Sequence, residues 1–424
     1  MTDVRPLVRR FYLYYLTNSY GLYLPVSVLY LLEVRQFGLA EIGAIKAVFS
    51  FALVAAEIPT GYLGDRIGRR ASLALGNGLS ALSLVAYVFV DTPVEYMLLN
   101  VVWATGWAFR SGTVDAWLYE LLASRGAADD FARYRGRAST VLLVVSAGTA
   151  LLSGVLATVD WTIPFFANAA LAASGIPLLL TLPATADAAV EADSADADEA
   201  PEDAPENAPD DELFTVRDAV WTLRLQLGRP SVRWFLVYAA LFAGLFGLTR
   251  SFEQPAAAAV GVPLPAFGAL YAAFKLVSAG VAASTGWFED HLGVAGVFLL
   301  VAPVVGVFYA GALVLPVLVV PVLFLNRAVH TILQPVRNQY LNDRLTDVGR
   351  ATVLSGASMA LSLASGLAKL GGGAVAEGTG AVRTIALAGV VVALGAGVLW
   401  VAVSPVRSAS GAGSVGEKRP SVAD

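Results

Sequence analysis

Charged and titratable side chains stand inside long apolar stretches of the sequence, where their types could do chemistry. Among them are Lys46, Glu57, Arg110, Asp115, Lys275, Arg327 and His330. At bilayer depth an ionised group costs roughly 2.5–3.5 kcal/mol on insertion scales, so such residues are functional candidates by default. Arginine stays charged and holds oxyanions through a planar fork of donors. Glu57, Asp115 and His330 can titrate and so could carry a proton. Arg110, Lys275, Arg327 and His330 fall near the middle of their stretches, and no acid is expected at that depth. Uncompensated cations in a low-dielectric site are costly. A bound anion, or an acid reaching in from Glu57 or Asp115, must offset them. Plainer roles compete. Asp115 and Glu120 can pair with Arg133 or Arg137 at a membrane rim, Lys275 can snorkel, and His330 can be a packed ring. Glu57 precedes Pro59, which frees a carbonyl and can bend a helix. It reads either as a proton carrier or as a partner of Arg110.

The composition says what surrounds these residues. The 424-residue chain is 57% hydrophobic and 14% charged, with a mean hydropathy of +0.67. Soluble domains carry about 25% charged residues, so a soluble reading fails. There is no cysteine, and the two histidines are His291 and His330. Disulfide frameworks, thiolate metal sites and a Ser-His-Asp triad are therefore not expected. No H-E-x-x-H, G-x-S-x-G or G-x-x-x-x-G-K-[ST] run occurs, which argues against an intramembrane enzyme and against direct use of ATP. No cofactor, metal or nucleic-acid partner is expected. The partners implied are a bilayer, a small-molecule substrate and protons, with the chain a monomer.

Crossing a bilayer takes about 20 apolar residues. Twelve stretches qualify, at roughly 11–32, 39–62, 71–91, 95–121, 138–158, 162–182, 232–252, 264–287, 293–314, 316–340, 350–372 and 381–403. With the N-terminus inside, inner segments hold twenty basic residues and outer loops three, namely Arg35, Arg250 and Arg383. That asymmetry predicts a multi-pass protein of the cytoplasmic membrane with both termini cytoplasmic. The formal charge of −5 conceals a division. Asp187–Glu212 holds twelve acids and no base, leaving 28 bases against 21 acids elsewhere. Its composition reads as a disordered tether. The expected organisation is a six-helix bundle over 1–183, an acidic cytoplasmic linker over 184–229, a second six-helix bundle over 230–405 and a cytoplasmic tail over 406–424. Leu213–Leu227 has an amphipathic look within that linker.

The two halves repeat. Leu39–Gly68 aligns with Leu264–Gly293 without a gap, at an offset of 225, with nine of thirty positions identical. The shared residues include Gly43/Gly268, Thr60/Thr285, Gly61/Gly286, Asp65/Asp290 and Gly68/Gly293. Gly136-Arg137-Ala138 and Gly349-Arg350-Ala351 open the fifth and eleventh stretches alike. Two six-span repeats joined by a linker are a carrier architecture.

Between the second and third stretches runs Gly61-Tyr-Leu-Gly-Asp65-Arg66-Ile-Gly68-Arg69-Arg70. This resembles the G-x-x-x-D-R-x-G-R-R loop signature of the major facilitator superfamily, and it stands at that family's position. The resemblance covers nearly the whole chain outside the acidic insert. It implies an all-α fold of twelve transmembrane helices in two six-helix repeats. It also implies a latch formed by Gly61, Asp65, Arg66, Gly68, Arg69 and Arg70. In that latch Asp65 closes the cytoplasmic side against the start of the eleventh span. Gly61 and Gly64 would let helices approach closely, and Gly68 would make the turn. In the family, spans one, four, seven and ten line a central cavity, which implies that Arg110, Arg327 and His330 could face it, with Tyr14, Asn18, Tyr238 and Arg250 as secondary candidates. Phe109–Leu122 resembles the fourth span of drug-exporter-like members. The G-x-x-x-G-P-x-x-G-G run of antiporters is absent from Ser146–Leu156, as is R-x-x-Q-G from span four.

The expectation is a secondary carrier that moves a small organic solute by alternating access, coupled to protons. A sodium-coupled carrier and a uniporter stay open. So do drug efflux as against organic-anion transport, and a receptor or scaffold without flux.

Overall fold

The computed structural model describes residues 4–183, 230–344 and 350–406. The linker 184–229, with its acidic insert and Leu213–Leu227, and the tail from 407 lie outside the described residues.

Every regular element among the described residues is helical. In chain order they are α1 Arg5–Leu16, α2 Leu39–Ile67, α3 Arg69–Ala86, α4 Pro93–Arg110, α5 Thr113–Ala123, α6 Phe131–Val159 and α7 Ile163–Leu180. Then follow α8 Pro230–Ala259, α9 Ala266–Phe288, α10 Asp290–Val314, α11 Val319–Asn342, α12 Arg350–Thr379 and α13 Ala381–Val403. Among the described residues, nine helices are long and apolar enough to cross a bilayer. The first, third and fourth spans supply the rest of the twelve.

Two of those spans are broken. The first runs as α1, an interruption at 17–23, and then Leu24–Val34, which passes from 3₁₀ through one α-turn to π geometry. Pro25 has no amide hydrogen to give a regular helix there. The fourth breaks at Ser111-Gly112. Gly112 has φ +77°, a left-handed conformation that glycine adopts without steric cost. The loops carry ordinary helix-start chemistry. Glu95 Oε2 accepts the Asp91 and Thr92 amides at 2.9 Å each, and Thr92 Oγ1 accepts the Glu95 amide at 3.3 Å. At the loop between α6 and α7 Asp160 accepts the Thr162 amide and hydroxyl, both at 2.7 Å. Those two bonds hold the Asp160 carboxyl below the usual aspartate range.

The halves meet along two seams, α2 on α12 and α6 on α9. Glycine sets both. A Cβ on Gly43 would lie 2.6 Å from Lys369 O and 2.7 Å from Gly373 Cα. One on Gly268 would lie 2.4 Å from Ala150 O, and one on Gly154 would lie 2.5 Å from Leu264 O. The Ala40 amide also donates to Glu377 Oε2 across the first seam at 2.9 Å. All these contacts lie at one end of the molecule, opposite the Gly61–Arg70 loop. There the halves are clamped together.

Candidate functional site

A cavity of about 530 Å³ lies between the halves. Its lining runs from Leu24, Ser27 and Val28 near the clamped end to Arg337 and Ser358 nearer the loop end. Aromatic rings form much of the wall, among them Phe49, Tyr238, Phe242, Phe246 and Tyr271. Five bases line it: Lys46 from α2, Arg250 from α8, Arg327 and Arg337 from α11, and Lys369 from α12. His330 joins them, its ring edge-on to Phe246 at 5.3 Å. Among the described residues Glu253 is the one carboxylate in the lining.

Glu253 corrects the expectation that no acid stands at the depth of the midspan cations. Arg327 Nη2 donates to its Oε1 at 2.7 Å and its Oε2 at 2.8 Å. The Tyr271 hydroxyl donates to the same carboxylate. The Arg327 guanidinium also lies over the Phe274 ring, 4.9 Å from its centroid. Burying a charged pair is tolerable when further hydrogen bonds satisfy it; the Tyr271 hydroxyl supplies one to the carboxylate, while Arg327 Nε is buried with no partner among the described residues. Sequence reading ended the seventh span at 252. Helix α8 in fact continues through Pro255 to Ala259, which brings Arg250, Glu253 and Gln254 inside. Arg250 therefore belongs to the cavity and not to an outer loop.

Gln254 joins this network to the broken first span. Its Oε1 accepts the Val28 and Leu29 amides at 2.8 and 3.1 Å. Its Nε2 donates to Leu24 O at 2.7 Å and to the Tyr271 hydroxyl at 2.9 Å. Backbone groups that the irregular Leu24–Val34 segment leaves free are thus satisfied from the opposite half.

The other candidates divide. Lys275 is half-buried on α9, where the charges of Arg250, Arg327 and Glu253 act on it, but it does not line the cavity. Glu57 is half-buried on α2 and is also outside the lining. Arg110 does not face the cavity, contrary to expectation. It ends α4 and lies over Gly76 of α3, where an added Cβ would sit 2.5 Å from Arg110 Cγ. Its guanidinium bonds to the Tyr20 hydroxyl and to Ser80 Oγ, the latter at 3.3 Å, so Glu57 is not its partner. Asp115 pairs with Arg135, and Glu120 with Arg69 at 3.3 Å; the expected Arg133 and Arg137 make neither contact. Tyr14 and Asn18 are buried within the first half. Tyr238 lines the cavity and donates to Phe298 O at 2.6 Å.

The loop residues are spread open. Asp65 accepts from Arg69 at 2.9 Å, yet its side chain is 68% exposed. Arg69 links it to Glu120. Arg66 lies over the Tyr62 ring at 4.3 Å, and Arg70 donates to Leu182 O at 3.2 Å. Gly68 turns the chain at φ +83°. Gly64 approaches Ser72, where a Cβ would be 3.1 Å from Oγ, but one on Gly61 would meet open space. The close approach expected at Gly61 is absent because the halves here are clamped at the other end. Residues 345–349 and the side chains of 350–352, at the expected latch partner, are outside the described set.

The arrangement resembles known carriers. It superposes on the crystal structure of a variant of the nucleoside transporter NupG with a TM-score of 0.76 at 13% identity, over 94% of this chain and 100% of that one. A bacterial homologue of the lysosomal transporter Spinster, in an inward-facing and unoccupied conformation, gives 0.71 at 15% identity, over 95% and 98%. A D-xylose–proton symporter gives 0.67 at 15% identity, over 93% and 97%. In sequence, an uncharacterized MFS-type transporter, YxaM of Bacillus subtilis (strain 168), is 27% identical over 146 residues. That alignment takes in 34% of this chain and about a third (35%) of the relative's length. The profile of the Major Facilitator Superfamily matches residues 11–352. The chain belongs to the major facilitator superfamily, a family of membrane transporters and not of enzymes.

Proposed function

We propose that the chain is a secondary active carrier that moves a small amphipathic organic anion across the cytoplasmic membrane by alternating access. One observation carries this reading: among the described residues, five bases and one carboxylate line the cavity between the halves. Glu253 offsets Arg327 and leaves an excess of positive charge at membrane depth, which a bound anion would neutralise. The aromatic wall suits an apolar body on that anion. The clamp at Gly43 and Gly373 is one end of the alternating cycle, and the Asp65 loop closes the other end in the opposite state. With the N-terminus inside, as the arginine distribution favours, the clamped end faces outward and the loop lies in the cytoplasm. The two six-helix bundles over 1–183 and 230–405 are the moving bodies, with 184–229 as their tether. Protons drive the cycle through Glu253, the carboxylate of the lining. Export of cationic drugs fits this lining poorly, because its net charge repels them.

The test is flux in proteoliposomes of the full chain. Matched anionic, neutral and cationic amphiphiles are offered with and without an imposed pH gradient. Gradient-dependent uptake of the anion is expected. Selective transport of cations would overturn the substrate reading, and no flux of any solute would favour a receptor or scaffold.

A further inference from the structure

We propose that Lys46, Arg250 and Lys369 form one oxyanion site at the roof of the cavity. It takes a compact group with two negative charges, such as a phosphate monoester or a dicarboxylate. This rests on the anion-carrier reading above and sharpens it.

Depth brings the three together. Lys46 stands seven residues in from Leu39, Arg250 nine back from Ala259, and Lys369 ten back from Thr379. At 1.5 Å per residue all three lie about 10–15 Å below the clamped end. Local packing then sets Lys369 between the other two. Its ammonium donates to Ser50 Oγ at 2.7 Å, one helical turn from Lys46. Its stem lies on a bare patch of α8, where a Cβ on Gly247 would be 3.2 Å from Lys369 Cε. Arg250 is one turn further along that helix. The charges of Lys46 and Arg250 both act on Lys369.

Among the described residues, the acid near this group is shared with another base. Glu253, the carboxylate of the lining, is committed to Arg327 and Tyr271. Among the described residues, none of the three bases makes an ion pair. Like charges converging at membrane depth are unstable alone, and among the described residues the nearby carboxylate, Glu253, acts on Arg250 while bonded to Arg327, which leaves the three bases undercompensated. A monoanion would leave two of three cations unmatched, whereas a dianion leaves one. The donor set suits oxygen: two ammoniums as point charges, a guanidinium fork, and the Ser50 and Ser365 hydroxyls beside Lys369. Arg327 is a poorer anchor because Glu253 already occupies it. Lys46 comes from the first half, and Arg250 and Lys369 from the second. A dianion among them ties the halves together directly beneath the Gly43–Gly373 contact.

The experiment is ligand-induced thermal stabilisation of the detergent-purified full chain. The probes are inorganic phosphate, glycerol phosphate, succinate, acetate and glycerol at constant ionic strength. Concentration-dependent stabilisation by the doubly charged probes is expected, with acetate about tenfold weaker or worse and glycerol inactive. Glycerol phosphate against succinate separates phosphoryl from dicarboxylate recognition. Lys46→Gln, Arg250→Gln and Lys369→Gln should each weaken the effect about tenfold or more, the scale for truncating one buried charge partner. Lys46→Arg and Lys369→Arg keep the charge and should restore most of it in chains of normal unliganded stability. Arg383→Gln, on the exposed start of α13, is the control. Stabilisation by acetate equal to that by the divalent probes would overturn the two-charge site. So would dianion binding that survives all three Gln substitutions, and in that case the anion-carrier reading stands. No response to any anion, together with flux of a cation, would remove both.

Discussion

Arg327 gives one nitrogen to both carboxylate oxygens of Glu253, at 2.7 and 2.8 Å, across 74 residues of sequence. The pair is almost closed to solvent, with side-chain exposures of 13% and 5%. The Tyr271 hydroxyl then carries the contact on to Gln254 and the first span. Protonating Glu253 would loosen Arg327 and Tyr271 together, so this carboxylate can connect proton binding to the clamped end. Glu253→Gln mimics the protonated form. Removing one partner of a buried pair costs about 3–5 kcal/mol. The cavity border places the expected loss at the lower end, read as a fall in melting temperature. Anion exchange between loaded vesicles should persist, while accumulation driven by a pH gradient should vanish. Gradient-driven accumulation at the native level would assign coupling to another group.

The sequence made most of the scaffold legible. Length and apolarity mark the spans because lipid offers backbone groups no partner and forces helices. The repeat and the Gly61–Arg70 run locate the second and eighth spans together with their loops. The site was less legible, for a physical reason. Arg250-Ser-Phe-Glu-Gln-Pro255 is so polar that it reads as the end of a span, yet its charges face a cavity and one another, so α8 continues past them. The spacing of Arg250 and Glu253, with four alanines following Pro255, was the available signal for a continued helix. Arg110 misled in the opposite way. Gly76 opens a resting place for its stem inside the first half, and a glycine on another span does not announce its neighbour.

The Gly43–Gly373 contact is expected to hold the clamped end shut. Helix α2 meets α12 with a Cβ-to-backbone clearance of 2.6–2.7 Å at Gly43. Backbone cannot give way as a side chain can, so Gly43→Ala must push the helices apart. The chain has no cysteine, so a single Ser27→Cys beneath the clamp reports access. Its labelling from the clamped side should be several-fold faster in the Gly43→Ala background. An unchanged rate would mean that the seam does not limit opening.

Asp65 offers a sharper separation of stability from transport. Its bond to Arg69 is exposed, and exposed ion pairs contribute about 0–1 kcal/mol. Asp65→Asn should therefore leave the melting temperature within a degree or two of wild type. Transport should nevertheless fall sharply, since the lost charge matters in the state where the loop end closes. Normal transport rates in correctly inserted Asp65→Asn would remove the latch role.

Arg110 now separates a structural arginine from a substrate-binding one. It is absent from the cavity lining, and its guanidinium is held by the Tyr20 hydroxyl, Ser80 Oγ and the faces of Tyr20 and Trp107, 5.5 and 5.8 Å from their centroids. Cation–π contacts of this kind contribute about 0.5–2 kcal/mol, and the hydrogen bonds to a charged donor about 1.5–3 kcal/mol. Arg110→Gln removes the guanidinium from its ring contacts and unpairs the Tyr20 hydroxyl, while Ser80 keeps its bond to Gly76 O, so a loss of a few kcal/mol in stability is expected. Anion affinity in the folded fraction should change less than about threefold. Arg250→Gln should do the reverse, costing little stability while weakening the anion. Measuring melting temperature and anion affinity side by side on the two variants decides the matter. A large affinity loss in well-folded Arg110→Gln would return that residue to the transport pathway.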